Sequence, residues 1–123
     1  MTDQEMKRNA EGYSDPTAYG GTCGDTAHPG EIWGIQGKEN GPYSLHIVLV
    51  NHGHFSTVLK MMDDSAPHFC AIEHNGRVYF TDPRKVCYIK HHKFAGYAGR
   101  ANWAAFESLR QAVKKAMGFG REV

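Results

Sequence analysis

No stretch of this sequence has the unbroken apolar length that a membrane-spanning helix needs. The N-terminus, MTDQEMKRNAEGYSDPTAYGG, lacks the apolar centre of a secretory signal. Neither sign of charge dominates: 14 Lys+Arg stand against 13 Asp+Glu. No global positive field therefore gathers nucleic acid, and any such binding needs a local patch. Cysteine is scarce. Cys23, Cys70 and Cys87 are odd in number and widely spaced, which argues against a disulfide framework and for reduced thiols in a cytoplasm. No Cys-x-x-Cys or His-Glu-x-x-His pair occurs. Cys70-x-x-x-His74 and His52-x-His54 are loose spacings, so no metal or other cofactor is expected. The histidines read as solvated loop residues and the cysteines as small buried hydrophobes.

What remains is a globular composition of 123 residues, enough for one domain with a self-sufficient core. Residues 1–29 are rich in Gly, Asp, Thr and Pro and read as an irregular arm. Short strands follow. Residues 31–36 (EIWGIQ) alternate, 45–51 (LHIVLVN) form a buried-strand run, and 55–62 (FSTVLKMM) make the next strand. FCAIEH and RVYFT flank Asn75-Gly76, the strongest short hairpin signal, and VCYIK adds a further strand. The period then changes. Trp103, Phe106, Leu109, Val113 and Met117 line one face of a helix, with Asn102 as N-cap and Gly118 as stop. The class is α+β, mainly β: five or more short strands in a small bent sheet or barrel, covered by a C-terminal helix.

Four segments resemble the MazF/PemK toxins of type II toxin–antitoxin systems. Gly30-Glu31-Ile32-Trp33 is similar to that family's opening strand. GKENGPYSLHIVLVN (37–51) follows its polar loop and second strand. FSTVLKMMDDS sits where its Ser-Pro-Thr-Val strand sits. KVCYIKHHKFAGYAGR and FESLRQAVKKAMGF resemble its last strand, bend and terminal helix. The resemblance covers about residues 30–119. It implies an SH3-like barrel over 30–123, a homodimer, metal-independent cleavage of single-stranded RNA, and an antitoxin protein as partner.

Carried over residue by residue, the family's catalytic Arg falls on Ser44 and its catalytic Thr on Asp64, with Ser65 retained beside it. A basic position of the last strand falls on Cys87. A serine does not replace a fixed guanidinium, and a carboxylate repels a phosphodiester. His46 shares a strand face with Ser44 and can act as acid or base near neutral pH. Lys38 and Lys60 can supply charge, and Tyr43 flanks the site. The run Lys90-His91-His92-Lys93, interleaved with Tyr88, Phe94 and Tyr97, is the local positive patch. It suits single-stranded nucleic acid or an acidic partner, or else a solvated edge. Two functions therefore stand side by side. One is an endoribonuclease with an altered or weakened site, carried by Ser44, His46, Asp64 and Ser65. The other is a catalytically inactive binding protein from a mobile element, such as a phage-encoded inhibitor of a host defence protein of the anti-CRISPR type.

Overall fold

A computed structural model describes residues 26–36 and 43–117. The expected arm up to residue 25, Lys38 and the helix stop at Gly118 lie outside the described residues. The strands are β1 (Glu31–Gln36), β2 (Tyr43–Asn51), β3 (Phe55–Lys60), β4 (Cys70–His74), β5 (Arg77–Thr81), β6 (Cys87–Lys90) and β7 (Phe94–Arg100). A single 3-10 turn, His91–Lys93, joins β6 to β7, and helix α1 spans Trp103–Met117. Five strands form an antiparallel sheet in the order β6-β3-β2-β1-β7, while β4 and β5 pair with each other.

The expected SH3-like barrel is corrected by this topology: neither sheet is closed. β6 and β7 are consecutive in the chain but pair with opposite flanks of the sheet, on β3 and β1. The turn between them is pinned to β3 instead, by a buried 2.7 Å bond between Ser56 Oγ and His91 Nε2. Among the described residues the β4–β5 hairpin meets the chain just past β3 at the isolated bridge Met62–Phe80, so it does not fill the gap either. The result is a curled open sheet with two edges.

The curl explains why β2 reads as a nearly continuous apolar run. Its two faces both bury side chains. On one face Ile32, Ile47, Leu49 and Leu59 pack under Phe106, Leu109 and Val113 of α1, with Ile72 from the hairpin. On the other, inside the curl, Trp33, Ile35, Val48 and Val58 meet Phe94 and Tyr97. The Trp33 ring lies 5.6 Å from each of those two aromatic rings. Each such fully buried large side chain contributes roughly 1.5–3 kcal/mol. The β2–β3 register slips between Val48 and Val50. This bulge adds one residue to β2 and increases the local twist.

Local signals act as expected at two turns. Asn75 and Gly76 both take positive φ, 54° and 78°, as a two-residue hairpin requires. Asn102 Oδ1 accepts the Ala105 amide at 3.1 Å, capping α1. β7 is a strand that the sequence reading did not separate. FAGYAGR carries glycine and alanine where strands prefer branched side chains, and pairing with β1 supplies its order.

Gly99 on β7 has φ +139°, and a Cβ there would stand 2.8 Å from Cε1 of His74. The hairpin thus packs on β7 through one imidazole. Gly99→Ala is expected to destabilise the protein by about 1–3 kcal/mol through strain and overlap. A urea titration reads this as a lowered midpoint. Combining the substitution with His74→Ala should recover part of the loss, because the two sites share one contact.

Candidate active site

Antiparallel register places Trp33, His46 and Lys60 side by side on β1, β2 and β3. Directly opposed residues have neighbouring Cβ atoms on one face of a sheet. Ser44 lies two residues from His46 on that same face, opposite Ile35. Trp33 is fully buried on the neighbouring strand, directly opposite His46, which is itself only 7% exposed. Lys60, at the end of β3, is exposed. The chain then crosses Met61 and Met62 to Asp63, Asp64 and Ser65, all three exposed.

The chemistry of His46 follows from its surroundings. Its Nδ1 lies 3.2 Å from the Ser44 carbonyl oxygen. A carbonyl only accepts, so Nδ1 carries the proton. Burial lowers the pKa below the ordinary 6.5; the Ser44 hydrogen bond opposes this, and the Lys60 charge adds to the lowering. The ring is therefore neutral at pH 7, with Nε2 as the unprotonated nitrogen. Among the described residues nothing donates to that nitrogen. A neutral imidazole held in one tautomer beside an ammonium group combines a base with an anion partner.

The remaining expected positions are more scattered. By strand alternation Tyr43 points to the face opposite Ser44 and His46, where it is exposed. Lys90 pairs with Phe55, at the far end of β3 from Lys60. Five strand steps separate those ends, about 17 Å. His92 and Lys93 are exposed near that far end. His91 is buried and bonded to Ser56, so it serves the fold. Cys87 is half-buried against the Trp33 cluster. Cys70 has its thiol pKa raised by burial and by Asp82, which leaves it protonated.

One residue near the site carries only an indirect sequence signal. Arg77, the first residue of β5, reaches back to Asp63 at 2.6 Å and lies over the Tyr79 ring at 5.1 Å. Both partners of the ion pair are more than 60% exposed, so it adds little stability. It does put a guanidinium beside the 63–65 segment. Only the Asn75-Gly76 turn hints at this, by bringing the hairpin back at residue 77. Asp64 makes no ion pair among the described residues.

Two of the buried histidines, His46 and His74, also set a pH response. Burial lowers the pKa of both His46 and His74. As pH falls through 6.5 the unfolded chain binds protons that the folded chain still refuses. Stability is thus full above about 6.5 and declines below it, until the folded pKa values are passed. Thermal melts at graded pH should show this decline, and His46→Gln with His74→Gln should flatten it.

No family model matches the sequence, and no curated protein matches it. Solved structures do match by shape. An endoribonuclease in complex with its cognate antitoxin, from a mycobacterial species, superposes with a TM-score of 0.65 at 11% identity; the match covers 76% of this chain and 95% of that one. A second mycobacterial endoribonuclease gives a TM-score of 0.61 at 11% identity, covering 75% of this chain and 91% of that one. At that identity the likeness is one of fold, and the chain has the fold of these endoribonucleases, with a serine where the sequence resemblance would put an arginine.

Proposed function

We propose that this protein is a single-stranded RNA endoribonuclease with an altered, weakened site. His46 acts as the base, and Lys60 replaces the lost guanidinium. The observation that carries this reading is the His46 imidazole tethered through Nδ1 to the Ser44 carbonyl, one strand away from Lys60. In the proposed reaction Nε2 takes the proton of a ribose 2′-hydroxyl. The resulting alkoxide attacks the adjacent phosphorus, the bond to the 5′-oxygen breaks, and that oxygen leaves with a proton from solvent. The products are a 2′,3′-cyclic phosphate and a 5′-hydroxyl. The Lys60 ammonium pairs with the phosphate charge that builds up during attack. Asp64 works against this charge, which accords with a slow enzyme. Ser65 stays within the 63–65 segment as a hydrogen-bonding residue for the backbone. An antitoxin protein is the proposed partner, since one of the endoribonucleases of similar fold is held in complex with its cognate antitoxin; the homodimer is what the sequence resemblance implies.

The test is incubation of mixed single-stranded RNA with the purified protein in EDTA, beside the same RNA made with 2′-deoxyribose. Cleavage of the first, non-cleavage of the second and cyclic phosphate ends are expected. A second reading is supported by Ser44 and by the exposed Asp64: an inactive scaffold that binds a host defence protein. Intact RNA with folded protein would establish that reading over the first.

A further inference from the structure

On the face of the sheet away from His46, a cleft of about 480 Å³ lies between β2, β3, β6 and α1. Its floor is aliphatic: Leu49, Val50, Val86, Val113 and Met117. Arg110 and Lys114 stand over that floor, one helical turn apart. Among the described residues, no Asp or Glu lines the cleft. Glu107 approaches Arg110 at 3.8 Å, but both side chains are over a third exposed and the pair is weak. The Arg110 guanidinium is also placed by the Phe106 ring beneath it, 6.0 Å away. The opposite wall is His52 and Tyr88. The His52 ring is fixed by a 2.8 Å contact with Thr57 Oγ1 and by stacking on Phe55 at 4.6 Å.

Two like charges at this helical spacing repel each other, and an anion seated between them removes the repulsion. An aliphatic floor rewards an alkyl or aryl body and offers no hydrogen bonds to the edge of a base. The volume falls within the roughly 300–1,000 Å³ of small-molecule sites. A second copy docked by a two-fold axis would bring the same cationic rim against itself. We infer that this cleft binds a small amphiphilic anion: an apolar body on Leu49, Val113 and Met117, and a carboxylate, sulfonate or phosphate between Arg110 and Lys114.

The probe is anilinonaphthalenesulfonate titrated into the folded full chain, with decanoate and decanol as competitors. Saturable binding is expected, displaced by decanoate and hardly by decanol. Methyl resonances of Leu49, Val50, Val113 and Met117 should shift. The double variant Arg110→Gln, Lys114→Gln should melt like the wild type and bind about tenfold or more weakly, having lost both charge-assisted contacts. Four results would overturn the inference: no saturable binding, equal competition by decanol, wild-type affinity in the double variant, or shifts elsewhere. Two others would assign the cleft to another occupant and overturn it as well. They are shifts of these methyls on raising protein concentration alone, which indicate a second copy, and displacement of the probe by a single-stranded oligonucleotide.

Discussion

Replacing Glu31 with alanine is expected to destabilise the protein by about 3–5 kcal/mol, the loss seen when one partner of a buried charged network is removed. The Glu31 side chain is fully buried. Its Oε1 accepts from the His28 amide at 3.0 Å and the Trp33 indole at 3.1 Å. Its Oε2 meets Arg100 at 3.2 Å and the His28 ring at 3.3 Å. One carboxylate therefore ties the chain entering β1 to the end of β7 and fixes the central tryptophan of the curl. Alanine would leave the Trp33 N–H buried without its acceptor, at the full cost of desolvation. For a domain whose total stability is roughly 5–15 kcal/mol, that is a large share. The melting temperature should fall by about 10–20 °C. Glu31→Gln keeps the shape and one acceptor and should fall between. A melting curve within a few degrees of the wild type for Glu31→Ala would show that the network holds nothing together.

Replacing His46 is expected to lower RNA cleavage by about a hundredfold or more, the usual contribution of a positioned general base. His46→Ala also truncates a buried side chain, so His46→Gln is the cleaner comparison. Glutamine is a polar side chain of similar volume and offers no base. Lys60→Ala should lower cleavage while leaving stability nearly unchanged, because the side chain is exposed and has no carboxylate partner among the described residues. Lys60→Arg should retain more activity than Lys60→Ala, since it keeps the charge. Equal cleavage by wild type and His46→Gln would remove His46 from the chemistry.

The strand and helix spans were legible where one local signal decided them. The Asn75-Gly76 hairpin, the Asn102 cap and the 3.6-residue stripe of α1 each rest on a few adjacent residues. Tertiary pairing hid the rest. β7 has a weak strand composition and exists because β1 lies beside it. The opening of the expected barrel depends on where β6 and the hairpin pair, which no periodicity records. In the site, Ser44 and His46 on one face follow from alternation alone. The approach of Lys60 follows from the β2–β3 register, and that of Arg77 from a contact across 14 residues. The basic run at residues 90–93 looked like one patch, yet His91 turns inward to Ser56 because the β6–β7 turn must be anchored. The cationic cleft combines four separate elements and has no counterpart in any local stretch.

The most direct test of the account is the pH dependence of single-turnover RNA cleavage in EDTA, for wild type and His46→Gln. A base with a lowered pKa keeps its rate as pH falls through 6.5 and loses it only further down, as the imidazole becomes protonated. The account predicts that acid limb in the wild type and its absence in the residual activity of His46→Gln. A wild-type profile with no acid limb, or the same limb in both proteins, would contradict it.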